Sequence, residues 1–183
     1  MARHPMLVRI THWINFLSFL ALAVSGVAIL IAHPRFYWGE SGYFDTPAAF
    51  ELPLAVNLDQ TGWGRDLHFL GAWAIVLNGL IYVVWGLFSR HFRFDAYSSL
   101  QRFAYLCVVF ALLPVAILTG VTMSPAITAA YPVLFSLFGG RQSARTIHFF
   151  AADLLVLFLV IHVALAIRTG VVTSMMSLRI RQQ

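Results

Sequence analysis

What this chain lacks narrows its class before any motif is considered. Only 10% of its 183 residues are charged, and lysine is absent: all twelve basic side chains are arginine. So small a charged fraction beside 60% hydrophobic residues excludes an ordinary soluble domain and is the composition of an integral membrane protein. The single cysteine, Cys107, lies in an apolar run, so no intrachain disulfide can form, and no Cys-x-x-Cys-His is present, which excludes covalent c-type haem attachment. A net charge of +5 raises nucleic acid as a partner. The arginines are dispersed through loops rather than gathered in a patch, however, so no nucleic-acid partner is expected. There is no low-complexity tract, no soluble domain and no repeat of about 20–50 residues. The first apolar segment is long enough to span and has no convincing cleavage site, so a cleaved secretory signal is not expected.

What is present is four long apolar runs, at residues 10–31, 67–88, 103–121 and 146–167. About 20 such residues cross the hydrocarbon core as a helix, and the helix keeps every backbone polar group paired away from water. The expected fold is an all-α membrane protein, a single transmembrane domain over 1–183 forming an antiparallel four-helix bundle in the lipid bilayer. Pro114 in the third run lacks an N–H and is expected to kink its helix. Connections 32–66 and 122–145 are long, and 89–102 is short and basic. With four spans, the termini and the short loop share one side, which carries eight arginines. The other side carries four (Arg35, Arg65, Arg141 and Arg145) together with five of the seven acids. The positive-inside bias therefore places both termini in the cytoplasm of a bacterial inner membrane. The outer connections contain Phe36-Tyr37-Trp38 and an apolar run at 130–138, expected to lie at the membrane interface or under a partner.

The fourth run reads TIHFFAADLLVLFLVIHVALAI, with His148 near its start and His162 near its end. Fourteen residues apart, the two imidazoles leave one helix face within about 40° and stand roughly 21 Å apart along the axis. Topology sorts the four spanning histidines by depth. His68 opens the second helix from outside and matches His148; His12 opens the first from inside and matches His162. Two neutral imidazoles at one depth on neighbouring helices can supply both axial ligands of a b-type haem iron, and bundle cores commonly house cofactors. Two stacked b haems, with iron bound by His68 and His148 and by His12 and His162, are the expected cofactors. The alternative is that these histidines are buried hydrogen-bonded groups or a proton relay. Zinc suits the pattern less well, because it wants several ligands close together.

Glycines add a second indication. Gly26 lies fourteen residues after His12, on nearly the same face and at the outer level. Gly79 and Gly86 share the direction of His68 and bracket the inner level, where a macrocycle needs close backbone approach. Tight helix packing accounts for the same glycines equally well. Arginines at the membrane edge suit haem propionates: Arg9 and Arg168 on the inner side, Arg65, Arg141 and Arg145 on the outer. Interfacial anchoring explains each at least as well. His4, His33 and His91 are expected at the surface, and Asp153 faces away from the histidine face. Trp13, Asn15 and Asn78 have no assigned role. Ser25-Gly26 and Thr119-Gly120 lie at similar depths in the first and third spans, too little to define a duplication.

The opening RITHWINFLSF, GWGRDLHF before the second helix, GGRQSARTIHF before the fourth and the His148–His162 spacing resemble the four-helix di-haem b cytochromes over essentially the whole chain. These are membrane subunits associated with nickel–iron hydrogenases, formate dehydrogenases and thiosulfate reductases. The resemblance implies that His12 and His162 hold a cytoplasmic-side haem, and His68 and His148 an outer one. It also implies electron transfer between the quinone pool and a partner redox subunit on the periplasmic side, for which the GGRQSARTIHF segment suggests a molybdenum enzyme of the sulfite-oxidase type. A quinone or quinol is expected near Arg9, Asn15, His91 and Arg168. No catalytic residue of its own is expected. Two rivals remain: a stand-alone di-haem quinone oxidoreductase taking electrons from a small outside donor such as superoxide, and a haem-free anchor or transporter.

Overall fold

A computed structural model describes residues 5–42, 45–54, 62–89 and 99–169. His4, His91, Arg3, Arg90, Arg93, Arg179 and Arg181, which enter the topology and quinone expectations, lie outside the described residues. Four helices are long and apolar enough to cross a membrane: Met6–Ala32, Trp63–Phe88, Ser99–Thr122 and Arg141–Arg168. Each runs past its apolar stretch, because a helix that stops at the hydrocarbon edge would leave four N–H or four C=O groups without partners there. The first two are α1 (Met6–Ala32) and α2 (Trp63–Phe88).

The third span has three parts: α3 (Ser99–Cys107), a π-helical turn (Val108–Leu112) and α4 (Leu113–Thr122). The disruption expected of Pro114 takes this form. Proline cannot donate to the carbonyl four residues back, and its ring presses on that carbonyl. One wider turn just before it relieves both problems without ending the helix. Two short helices, α5 (Pro125–Ala130) and α6 (Pro132–Leu137), lead to α7 (Arg141–Arg168).

α1 packs along α2, and α4 along α7. The first crossing is tight: a Cβ on Gly71 would stand 3.1 Å from the Leu22 side chain and 3.3 Å from the Ser18 carbonyl. The same pair is pinned lower down by Asn78, 6% exposed. Its Nδ2 donates to the Thr11 carbonyl and to Asn15 Oδ1, each at 2.7 Å. Hydrogen bonds between membrane helices are worth about 0.6 kcal/mol, at most about 1.7. Asn78→Ala is therefore expected to lower the unfolding free energy in detergent by roughly 1–2 kcal/mol. A loss several times larger would show that Asn78 supports more than this helix pair.

The long outer connection is strapped onto the start of α7. Strands β1 (Arg35–Phe36) and β2 (Phe50–Glu51) pair antiparallel. Phe36 stacks on Phe50, ring centres 4.5 Å apart, and meets Phe149 at 4.7 Å. Phe36-Tyr37-Trp38, expected at the membrane interface or under a partner, divides between inside and surface. Phe36 and Tyr37 are buried at 1% and 8% exposure, whereas Trp38 is 58% exposed. The hairpin folds the first two inward, Phe36 against Phe149 of α7.

Polar contacts complete the strap. The Gly39 carbonyl accepts from the N–H groups of Gln142 and Ser143 at 3.0 and 3.2 Å, capping α7 from another segment. Gly39 N–H donates to Ser143 Oγ at 2.7 Å, and Thr146 Oγ1 to the Tyr37 carbonyl at 2.8 Å. Arg145 donates to the carbonyls of Arg35 (3.1 Å) and His33 and lies over the Phe36 ring at 4.9 Å. Burial, then the charges of Arg145 and Arg65, hold the His33 imidazole below its ordinary value of 6.5. A depressed histidine is protonated more readily once released, so its contribution is full above pH 6.5 and is lost as pH falls through the lowered value. Acidification is thus expected to loosen the strap, read as a change in Trp38 fluorescence that His33→Gln abolishes.

Candidate functional site

α7 carries His148 near its outer end and His162 near its inner end, and each meets a histidine from the α1–α2 pair. The ring centres of His68 and His148 are 6.0 Å apart, and those of His12 and His162 6.3 Å apart. The pairings also fix directions: α1 starts where α7 ends, and α2 starts where α7 starts, so α1 runs antiparallel to both. Metal–nitrogen bonds of about 2.0–2.1 Å, plus about 1.2 Å from each ring nitrogen to its ring centre, place two opposed imidazoles on one metal about 6.4 Å apart. The His12–His162 separation comes close to that value and the His68–His148 separation is shorter. Among the described residues no group of three His, Cys, Asp or Glu could hold an ion. Two imidazoles face each other toward each end of α7, a donor number that suits a haem iron and is too few for a closed zinc site.

Hydrogen bonds orient the rings. His148 Nδ1 lies 2.9 Å from the Ala116 carbonyl, an acceptor only, so Nδ1 carries the proton and Nε2 is the bare nitrogen. Thr119 Oγ1 stands 3.1 Å from the same Nδ1. His68 Nδ1 is 3.0 Å from Ser25 Oγ, and His162 Nδ1 is 3.3 Å from the Tyr105 hydroxyl. Metal-bound histidines characteristically engage their second nitrogen in this way, which sets tautomer and ring angle. Around His162 the packing is aromatic: Phe158 stacks at 5.7 Å and Tyr105 meets it edge-on at 6.1 Å.

The glycines divide between the two readings of them. A Cβ on Gly26 would stand 3.8 Å from His68 Cε1, which places Gly26 beside the outer pair, whereas a Cβ on Gly79 would meet nothing within 4 Å. Gly79 thus faces open space, while the close helix contact falls to Gly71. Gly86 is buried. The arginines divide as well. Arg145 spends two donor nitrogens on loop carbonyls, and Arg35 is paired with Glu51 at 3.0 Å. Arg141 Nε is buried with no hydrogen-bond partner among the described residues, its guanidinium 5.9 Å from the Phe135 ring. Arg65 and Arg168 are exposed at helix ends and Arg9 is half-buried. Asp153 is exposed on α7.

A family model described as prokaryotic cytochrome b561 matches residues 3–179. The chain belongs to that family. This b561-type protein is thus a multi-pass membrane cytochrome that binds haem b and carries electrons. It is also similar to a putative protein-methionine-sulfoxide reductase subunit, YedZ1, of Azospira oryzae. The two are 28% identical over 194 residues, covering 90% of this chain and 89% of the relative. Sequence reasoning about the b561-type site missed Ser25, Thr119, Tyr105 and Gly120. A signal for three of them was present in the two matched hydroxyl–glycine dipeptides.

Proposed function

We propose that this cytochrome holds two stacked b haems and passes electrons between the membrane quinone pool and a redox partner subunit. His68 and His148 ligate the outer haem, and His12 and His162 the inner one. The observation that carries this reading is the pair of facing imidazole couples at opposite ends of α7. When bound, the haems supply one-electron chemistry, and the chain supplies ligation, orientation and burial. Arg141, with its unpartnered buried Nε, and Arg65 take the outer propionates; Arg9 and Arg168 take the inner ones. Arg145 serves mainly the loop strap. Both termini lie in the cytoplasm of a bacterial inner membrane, which puts the Arg141 end in the periplasm.

The relative's description as a reductase subunit supports a partner enzyme, and the outer end, capped by the strap and α5–α6, is where it docks. The stand-alone reading with an anionic donor gains little, because Arg35 and Arg145 are already engaged and do not form an open funnel. Quinone binds at the inner end near Arg9 and Arg168. Asn15 Oδ1 accepts from Asn78 Nδ2. A groove of about 440 Å³ lined by Met6, Ile10, Ile14, Asn78 and Ile81 lies at that end. Ile10 and Ile14 are each about 160° from His12 around α1, so the groove does not adjoin the inner pair.

The test is reduction of the purified, membrane-reconstituted protein by a soluble quinol. Reduction by quinol that slows at least tenfold in an Arg9→Gln, Arg168→Gln variant, with haem content and reduction by dithionite unchanged, supports the inner quinone site. If dithionite reduces the protein and quinols do not, the quinone assignment fails while the cytochrome stands.

A further inference from the structure

The two outer histidines are held by the same device, used twice. Ser25 Oγ donates its one proton to the carbonyl four residues back, Ala21, at 2.6 Å, and Thr119 Oγ1 donates to Val115, also four back, at 2.6 Å. With that proton committed, each oxygen can only accept from the imidazole it faces: His68 Nδ1 at 3.0 Å and His148 Nδ1 at 3.1 Å. Both hydroxyls are fully buried, at 0% exposure. In each case the next residue is a glycine lying under the same ring. A Cβ on Gly26 would stand 3.8 Å from His68 Cε1, and one on Gly120 would stand 3.4 Å from His148 Cε1. The Ala116 carbonyl, three residues before Thr119, completes the set for His148. The first and third spans thus each present a hydroxyl and the following glycine in one register to one imidazole. The inner pair is held differently, through the Tyr105 phenol at 3.3 Å from His162.

We propose that Ser25 and Thr119 are positioning residues of the outer haem site. They accept from Nδ1–H of His68 and, beside the Ala116 carbonyl, of His148, so that both rings are held with Nε2 free for one iron, and they strengthen both imidazoles as electron donors. Gly26 and Gly120 leave the space in which those ring angles are possible. This rests on the reading that His68 and His148 share one haem. An imidazole whose N–H is held by an acceptor is a more basic ligand and favours the oxidised iron. Removing the acceptor weakens the ligand and moves the potential upward.

The experiment compares Ser25→Ala, Thr119→Val, Ser25→Thr, Thr119→Ser and His148→Ala in detergent-purified full-length protein. Haem is counted per chain, and a redox titration of the b-haem absorbance resolves the two centres. The inner haem, present in every variant, reports that the bundle is folded. The expected result is a more positive outer potential in Ser25→Ala and Thr119→Val, with outer-haem retention weakened about 10–100-fold. Recovery of both properties is expected in the hydroxyl-retaining Ser25→Thr and Thr119→Ser. Wild-type potentials and haem content in Ser25→Ala and Thr119→Val would overturn the proposal. So would equal failure of the hydroxyl-retaining variants, which would make the role one of packing. Two haems retained in His148→Ala would instead sink the ligation reading beneath it.

Discussion

Replacing His148 with Ala is expected to reduce the haem content from two per chain to about one, and the reduced b-band absorbance by about half. The argument is geometric. His148 and His68 stand 6.0 Å apart, and the second couple lies about 21 Å away along the same helix, so removing one imidazole leaves the other site's ligands untouched. His68 alone would lack the second imidazole with which it would hold the outer haem. His162→Ala is expected to do the same at the inner site, and the double variant to leave the protein colourless. The surviving haem of each single variant should titrate with one component only. A His148→Ala protein that keeps two haems would mean the outer site uses other ligands.

Gly140→Ala is expected to cost on the order of 2–4 kcal/mol, with the damage confined to the outer end. Gly140 has φ of +106°, a conformation that residues with a Cβ rarely adopt, and its Cβ would run into the backbone of Gly39 and Glu40. Those atoms cannot move freely, because the Gly39 carbonyl caps α7 through Gln142 and Ser143. The methyl group therefore both strains its own residue and displaces the cap. His148 is eight residues further along, so the outer haem should become labile while the inner one is retained. Gly79→Ala is the control. Its Cβ meets nothing within 4 Å and alanine is the better helix former, so thermal stability should hold or rise, and any effect should appear in the inner haem's spectrum. Equal melting curves for the Gly140 variant and the parent would show that the strap does not support α7.

The parts of this molecule governed by length and period were legible from its sequence. Four spans and the two histidine pairings follow from hydropathy, a 3.6-residue turn and alternating direction through the bilayer, none of which depends on side-chain detail. The haem itself is supported by family membership rather than by spacing alone. What stayed hidden depends on contacts between segments distant in the chain. GGRQSART carries no periodic signal that Gly140 needs a bare backbone against Gly39, or that Arg145 turns to the carbonyls of His33 and Arg35 instead of a propionate. Phe36 and Tyr37 have the composition of interface anchors, and only the hairpin with Phe50 shows why they are buried. Ser25-Gly26 and Thr119-Gly120 were visible as matched dipeptides. Their use became readable once His68 and His148 were seen to lie against them.

The most direct test of the central claim is pyridine-haem quantification on the detergent-purified protein, paired with a dithionite-reduced minus air-oxidised spectrum. The account predicts two b haems per chain, resolved as two components on titration. One haem per chain, or two haems unaffected by both His148→Ala and His162→Ala, would contradict it.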